Sequence, residues 1–190
     1  MPEFTLQPLY ALNGYAKTFG ENQLRELTDL NLMSLAVPLG SEALFESASA
    51  KALGNLPLAG QSAVAAPSGL RLVSMGPGQF LAIFSQADQD SEALFSQILA
   101  PITYTTDQTD GMVSLSLSGP LSRQILQRTC AIDLDPAVFT IDSAARTSME
   151  HMGATVIRTD HDHYLLLSAS SSAKSFLHML ETSIKNVMAY

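Results

Sequence analysis

The sequence predicts an α+β fold in which two ferredoxin-like β-α-β-β-α halves share one core, with antiparallel sheets covered by helices on one face. Two observations carry this prediction. A strand with one apolar face runs directly into an amphipathic helix over residues 112–129, and both halves of the chain follow the order strand, helix, loop, hairpin, helix. We place the halves at about 23–108 and 109–190, after an irregular N-terminal leader over residues 1–22.

The elements of the first half are marked by turn and cap residues. Ser41 can cap the first helix, Gly54 can end it, and Asp88 to Ser91 offer caps for the second. Gly76-Pro77-Gly78 turns one strand of a hairpin into the next. In chain order, the prediction is a strand at 30–37, a helix at 41–54, a loop at 55–69, strands at 70–75 and 80–84, a helix at 94–102 and a strand at 103–106.

The second half repeats this plan. Val113, Leu115 and Leu117 alternate with serines, which is the period of a strand with one buried face. Gly119-Pro120 then ends the strand, and we place Pro120 at the first helical position, where its missing N–H costs nothing. The remaining predictions are a helix at 120–129, strands at 144–150, 153–158 and 164–167, and a last helix with apolar positions from 173 to 187.

The composition favours a folded domain with a sparsely charged surface. Of 190 residues, 46% are hydrophobic and 15% are charged, against a usual charged fraction of about 25%. The shortage of charge points to a surface that is partly covered by a partner. The net charge of -8 argues against nucleic acid or an anionic membrane as that partner, because both attract clustered Lys and Arg.

The sequence also predicts a cytoplasmic protein. Cys130 is the sole cysteine, so neither an intrachain disulfide nor a cysteine-based metal site is expected. The first ten residues contain an acid and no basic apolar run, so they lack the features of a signal peptide. No run of roughly 18 apolar residues is present to span a bilayer.

Asp160, His161, Asp162 and His163 form the strongest candidate for a metal site, because carboxylate and imidazole groups suit zinc or manganese. These residues lie between two predicted strands, where neighbouring side chains point to opposite faces. Only alternate residues could then share an ion, and a structural site needs about four ligands. We therefore favour a solvated hairpin turn, with a metal-dependent enzyme that uses His161 and His163 as the alternative.

The other candidates favour structural roles. His151 beside Glu150 lacks a further catalytic group, and His178 is expected on an exposed or partner-facing side of the last helix. Cys130 follows a helix C-terminus, which disfavours a thiolate, so we interpret it as a small buried hydrophobe. Gly76-Pro77-Gly78 lacks the spacing of a phosphate-binding loop. We assign no catalytic, cofactor-binding or metal-binding residue to this chain.

Five stretches between Leu24 and about Val187 carry a family resemblance through their order and spacing. They are Leu117-Ser118-Gly119-Pro120 with Arg123, Leu126, Cys130, Asp133-Leu134, Pro136 and Phe139; Leu24-Arg25-Glu26-Leu27 with the strand at 32–37; Leu53-Gly54-Asn55-Leu56-Pro57-Leu58; Met75-Gly76-Pro77 with Phe80-Leu81; and Gly153-Ala154-Thr155-Val156-Ile157 with Asp160, Asp162, Tyr164-Leu165 and Ser175-Phe176. On these residues the chain resembles the gamma subunit of bacterial heterotetrameric sarcosine oxidase.

The resemblance implies both a fold and a role. The fold would be similar to part of the folate-binding aminomethyltransferase fold. In such complexes, four different subunits demethylate sarcosine oxidatively to glycine, convert oxygen to hydrogen peroxide and pass the one-carbon unit to tetrahydrofolate. The implied partners are the alpha, beta and delta subunits, which would hold FAD, FMN, NAD and tetrahydrofolate. The gamma chain itself would carry no cofactor and no catalytic residue.

The sequence departs from the family pattern in two places. The family usually has an acidic pair and a Trp after the Gly-Pro of the first hairpin, where this chain has Gly78-Gln79-Phe80, and the chain contains no Trp. Ser170-Ser171-Ser172 replaces the usual Arg-Ser-Phe near the last helix. These departures put a partner contact or the substrate in question. An equivalent subunit of an N-methylglutamate dehydrogenase and a stand-alone folate-binding one-carbon-transfer protein are the alternatives.

Overall fold

The computed structural model describes residues 9–54, 56–57, 60–64 and 68–189. Within these ranges the chain forms two antiparallel sheets and four α-helices. In chain order the elements are β1 (Ala16–Phe19), β2 (Asn22–Glu26), β3 (Leu30–Ala36), α1 (Glu42–Leu53), β4 (Ser62–Val64), β5 (Arg71–Gly76), β6 (Gln79–Ser85), α2 (Gln89–Leu94), β7 (Tyr104–Asp107), β8 (Met112–Ser118), α3 (Ser122–Gln127), β9 (Ala144–Met149), β10 (Met152–Asp160), β11 (His163–Ala169) and α4 (Ala173–Met188).

The hydrophobic side chains divide into three clusters that stack the elements in four layers, helix on sheet on sheet on helix. On β6, Phe80 and Phe84 pack among the residues of α1 and of the turns that follow α2. Leu81, between them in sequence, points to the opposite face and joins Leu165 of β11 in a cluster shared by both sheets. The third cluster joins β8 and β11 to α3 and α4. The central strands are therefore buried on both faces, which explains their nearly continuous apolar sequences.

Both sheets follow the ferredoxin-like strand order, which confirms the predicted fold class. The five-stranded sheet has the order β4-β5-β6-β3-β7, and the six-stranded sheet has the order β1-β2-β8-β11-β10-β9. β3 and β8 occupy matching positions, as do β6 and β11, β5 and β10, and β4 and β9. The two sheets thus repeat one arrangement, and the chain crosses between them twice, at residues 27–29 and again near residue 110.

The fourth strand of this repeated arrangement has a different origin in each sheet. In the five-stranded sheet, β7 pairs with β3 and comes from the end of the same half. In the six-stranded sheet, the corresponding position beside β8 is taken by β2, from the N-terminal part of the chain. β1 then pairs with the outer side of β2. The N-terminal segment therefore completes the sheet of the second half.

The prediction of an irregular leader over residues 1–22 is wrong for the part that β1 and the start of β2 occupy, whereas residues 1–8 lie outside the described residues. β1 has exposed side chains along most of its length, so its sequence lacks an apolar alternation. It forms a strand because its backbone pairs with β2, from Ala16 opposite Arg25 to Phe19 opposite Asn22. Hydrogen bonding of the backbone, rather than burial, determines this strand.

The start of the second-half helix also differs from the prediction. α3 begins at Ser122 with Leu121 at its N-cap, so Pro120 precedes the helix instead of opening it. The reason lies at Gly119, which has a φ of 117° and packs directly on the β1–β2 turn. A Cβ there would lie 2.6 Å from the Glu21 carbonyl oxygen and 2.7 Å from the Asn22 Cα. Asn22 Oδ1 in turn accepts the Leu121 N–H at 2.9 Å.

Several predicted caps and turns are confirmed. Gly54 ends α1 in the left-handed conformation and donates its N–H to Ala50, and Asp88 accepts the Ser91 N–H at the start of α2. Ser41 precedes α1 without capping it through its side chain. The loop predicted over residues 55–69 contains β4, which pairs with β5. Residues 55, 58–59 and 65–67 of this loop lie outside the described residues, and they include Asn55 and Leu58 of the family stretch.

A polar joint links the two sheets beside their shared core. Arg71 on β5 donates from Nη1 to Asp142 Oδ1 at 2.6 Å and to Ser62 Oγ at 2.7 Å. Asp142 lies just before β9, and its carbonyl oxygen accepts the backbone N–H of Ser62 at 2.7 Å. The joint therefore connects both β4 and β5 to the other sheet. The Arg71 side chain is mostly buried, whereas that of Asp142 is half exposed.

Candidate functional site

The four residues of the candidate metal site form the turn between β10 and β11. Asp160 Oδ1 accepts the His161 N–H at 2.7 Å, and Asp160 Oδ2 lies 3.9 Å from His163 Nδ1, with both side chains exposed. In the part of the chain that the structure describes, no group of three or more His, Cys, Asp or Glu side chains is placed to hold a metal ion. The geometry is that of the solvated hairpin turn favoured by the sequence.

A buried arginine holds this turn, and sequence analysis missed it. Arg158 is 3% exposed and donates to the carbonyl oxygens of Phe139 at 2.7 Å, His161 at 2.9 Å and Asp160 at 3.3 Å. It thereby ties the loop before β9 to the β10–β11 turn. Burial raises the pKa of the neighbouring Tyr164 hydroxyl, and the Arg158 charge partly opposes that rise. Its position on the strand was the available signal. Arg158 lies two residues beyond the core residue Val156, so its side chain is on the same, buried face of β10.

The remaining histidines occupy surface positions. Glu150 and His151 are the two residues of the tight turn between β9 and β10, and both have positive φ angles, as such a turn requires. His178 is exposed on α4, where it lines an open groove with Glu150 and Lys174. The structural roles expected for these two histidines stay predictions, and both side chains are exposed in the structure.

Cys130 and the glycine-rich turn also follow their structural interpretations in large part. Cys130 is half buried against the cluster of the six-stranded sheet, with Sγ 3.2 Å from the Leu126 carbonyl oxygen. Burial raises the pKa of its thiol, so the reactive thiolate is disfavoured. The Gly76-Pro77-Gly78 segment lies at the end of β5 and the beginning of β6, where it forms a hairpin turn.

A cleft of about 640 Å³ with polar lining lies where the two sheets meet near β2. Its polar residues include Tyr10, Glu26, Thr28, Gln86, Thr109, Asp110, Ser114 and Ser170. Glu26 is already engaged, because its carboxylate accepts the backbone N–H groups of Leu12 at 3.0 Å and Gly14 at 2.7 Å. The described lining contains neither His, Lys, Arg nor Cys.

Exposed apolar side chains indicate a surface that suits contact with another protein. Leu39 is 99% exposed, Tyr104 is 71% exposed and Leu44 is 57% exposed. These residues lie at one end of the five-stranded sheet, because Tyr104 is paired with Ala36 and the chain then turns through Leu39 into α1. Val138 and Ile141 are exposed in the loop before β9. Such side chains suit contact with another protein better than contact with water.

The fold defines the class of protein. The chain superposes on the aminomethyltransferase T of the glycine cleavage system from Bartonella henselae with a TM-score of 0.58 and 13% identity, over 82% of this chain and 44% of that one. The protein therefore has an aminomethyltransferase-like fold. No protein-family model matches the sequence. No helix among the described residues is both long and apolar enough to cross a membrane.

A more specific likeness lies within that class. The structure of heterotetrameric sarcosine oxidase from Corynebacterium sp. U-96 superposes with a TM-score of 0.72 and 26% identity, over 88% of this chain and 87% of the matched chain. The sarcosine oxidase gamma subunit of Corynebacterium sp. (strain P-1) is 27% identical over 165 residues, which span 86% of this chain and 80% of that subunit. The gamma subunit of an Arthrobacter species is 26% identical over 164 residues. The resemblance to the sarcosine oxidase gamma subunit is thus confirmed in sequence and in fold.

Proposed function

We propose that this chain is the non-catalytic gamma-type subunit of a heterotetrameric sarcosine oxidase, with residues 23–190 as its gamma-like domain. The observation that carries the proposal is the match in fold to such a complex over 88% of this chain and 87% of the matched chain, at 26% identity. The chain would support the oxidative demethylation of sarcosine to glycine and the transfer of the one-carbon unit to tetrahydrofolate, without contributing a reacting group.

The composition of the complex follows as part of the same proposal. The partners would be alpha, beta and delta subunits, which would hold FAD, FMN, NAD and tetrahydrofolate, and the assembly would be cytoplasmic. The sparse charge of the chain and its exposed Leu39 and Tyr104 support burial against other subunits. The net charge of -8 supports a protein partner rather than nucleic acid.

Co-expression of this chain with the flavin-bearing subunits tests the proposal. We expect one complex on size-exclusion chromatography, with sarcosine-dependent release of hydrogen peroxide that falls when the gamma-type chain is omitted. A chain that remains a stable monomer beside correctly folded large subunits would overturn the proposal. The same complex should prefer sarcosine to N-methylglutamate as substrate, since the reverse preference would identify the dehydrogenase instead.

Two measurements on the isolated chain separate the remaining functions. Calorimetric titration with tetrahydrofolate should release no saturable heat, because the Glu26 carboxylate in the polar cleft is occupied by backbone N–H groups. Saturable binding would favour a stand-alone one-carbon-transfer protein. Elemental analysis after exposure to zinc or manganese should find no stoichiometric metal, whereas one ion per chain that is lost on substitution of His161 and His163 would favour a metal-dependent enzyme.

A further inference from the structure

The outer edges of the two sheets are protected to different degrees. β1 forms one edge of the six-stranded sheet. It is anchored to α4, because the side chains of Lys17 on β1 and of Tyr15 just before it both donate to Glu181. β9 forms the other edge, where the Ala144 N–H is bonded to the Gly60 carbonyl oxygen and Met149 is bridged to Cys130. β7 forms an edge of the five-stranded sheet, and β3 is its sole strand partner among the described residues.

The register of β7 shows which of its backbone groups are unpaired. Gln108 donates its N–H to the Leu32 carbonyl oxygen at 2.8 Å, and Leu32 lies opposite Gln108 when the β3–β7 register is extended by one residue. Because hydrogen-bonded pairs alternate along an antiparallel ladder, Tyr104 and Thr106 also bond to β3. The N–H and C=O groups of Thr105 and Asp107 therefore point away from the sheet. Two donors and two acceptors at a spacing of two residues can accept an antiparallel strand.

The internal repeat identifies what is missing at this edge. β2 and β7 occupy matching positions in the two sheets, next to β8 and β3 respectively. β2 has a further antiparallel strand, β1, on its outer side. The corresponding position beside β7 is not filled by any described part of this chain. The fold thus accommodates a strand at this position, since it already does so in the other sheet.

The charge and exposure around β7 define the chemistry of the occupant. Residues 30–50 and 100–111 contain Glu42, Glu46, Asp107 and Asp110 but neither Lys nor Arg. Leu39, Leu44 and Tyr104 are exposed at one end of the edge. β7 lacks the lysine, proline or bulge that commonly protects an exposed edge, although its short length limits unwanted pairing. A complementary segment would carry an apolar residue near Tyr104 and a basic residue near Asp107.

We propose that β7 is a docking edge at which an extended segment of a partner subunit, with apolar and basic side chains, adds as an antiparallel sixth strand to the five-stranded sheet. The inference rests on the proposed function for the source of the segment. The affinity would come mainly from main-chain hydrogen bonds to Thr105 and Asp107, with side chains supplying register and specificity. The docked strand would reproduce, between two chains, the pairing that β1 and β2 make within one.

Substitutions at Thr105 separate backbone pairing from side-chain contact. Thr105→Pro removes an outward N–H without breaking the β3 ladder, so the isolated variant should fold. Thr105→Val retains the N–H and removes only the hydroxyl. Thr18→Pro is the matched control, because Thr18 lies at the corresponding outward position of β1. We expect Thr105→Pro to weaken assembly at least tenfold, whereas Thr105→Val and Thr18→Pro should assemble within about twofold of the wild-type chain.

Hydrogen–deuterium exchange on the wild-type complex provides a test that no variant can confound. The amides of Thr105 and Asp107 should exchange at least tenfold more slowly in the complex than in the free chain. The Thr18 amide should not change. Unchanged exchange at Thr105 and Asp107 within an intact complex, together with normal assembly of Thr105→Pro, would overturn the docking edge alone. Failure of the wild-type chain to assemble would instead overturn the proposed function and, with it, this inference.

Discussion

The six-stranded and five-stranded sheets follow the same strand order, yet they are completed in different ways. The five-stranded sheet is built entirely from residues 30–107, and its fourth strand β7 lies at the end of that stretch. The six-stranded sheet takes its fourth strand β2 from the other end of the chain. The comparison teaches that a repeated fold does not need a repeated sequence at every position, because an edge strand is specified mainly by its backbone pairing.

The largest effect is expected at Gly119, where the N-terminal segment contacts the six-stranded sheet. Gly119→Ala places a Cβ 2.6 Å from the Glu21 carbonyl oxygen and forces a non-glycine residue to a φ of 117°. Strain and overpacking together should lower the free energy of unfolding by about 3 kcal/mol. Chemical denaturation measures the loss.

Gly40→Ala is the matched control for that substitution. Gly40 also has a positive φ, of 84°, but among the described residues no heavy atom beyond its own chain neighbours lies within 4 Å of the position of its Cβ. The expected loss is about 1 kcal/mol, from backbone strain alone. Equal losses at the two glycines would contradict the close packing of the β1–β2 turn against Gly119.

A smaller effect is expected at Tyr15, which anchors the N-terminal segment to α4. Its hydroxyl donates to Glu181 Oε1 at 2.7 Å, so Tyr15→Phe should cost about 1 kcal/mol at neutral pH. The hydrogen bond from Tyr15 is the main cause that holds the pKa of Glu181 below its ordinary value of 4.5. The difference between wild type and variant should therefore be present above pH 4.5 and decrease as the pH falls through the folded-state pKa of Glu181.

At alkaline pH the stability contribution of the Tyr15 hydroxyl changes in the opposite direction, because it is lost as the pH rises. Burial and the Glu181 carboxylate raise the pKa of Tyr15 above its ordinary value of 10.0. The contribution of this hydroxyl is then complete below pH 10 and is lost as the pH rises through its folded-state pKa. Denaturation curves from pH 3 to pH 9 would detect the acid limb, and a flat difference over that range would contradict the role of Glu181.

The smallest effect is expected at the joint between the two sheets. Asp142→Asn removes the charge that Arg71 contacts at 2.6 Å and retains a residue type that tolerates the φ of 67° at this position. Because Asp142 is half exposed, the loss should be about 0.5 kcal/mol. Asp160→Asn is the control, since the Asp160 and His163 side chains are both exposed and 3.9 Å apart. A loss for Asp160→Asn as large as that for Asp142→Asn would remove the case for a specific joint.

The parts of the fold that the sequence predicts are those with strong burial. β6 and β11 are apolar on both faces, and α4 has a regular apolar stripe that includes Phe176, Leu180 and Ile184. β1 was missed because most of its side chains are exposed, and the start of α3 was misplaced because the conformation at Gly119 depends on distant residues 21 and 22. No local pattern contains such information.

The proposed docking edge at β7 was predictable from the sequence only in outline. The low charge content indicates a covered surface, but it does not identify the strand that meets the partner. Thr105 and Asp107 have ordinary strand-edge side chains, and what distinguishes them is the direction of their backbone groups. Arg158 was missed for a related reason, since its three acceptors are carbonyl oxygens and carry no signature in the sequence.

The placement of β2 also has a consequence for synthesis on the ribosome. Leu24 pairs with Leu117, so β1 and β2 must wait until β8 has emerged before they can join their sheet. The five-stranded sheet meets no such delay, because its strands follow one another from Leu30 to Asp107. Folding during translation would therefore begin in the middle of the chain, with the N-terminal strands docking last, and closure of this long loop would set the pace.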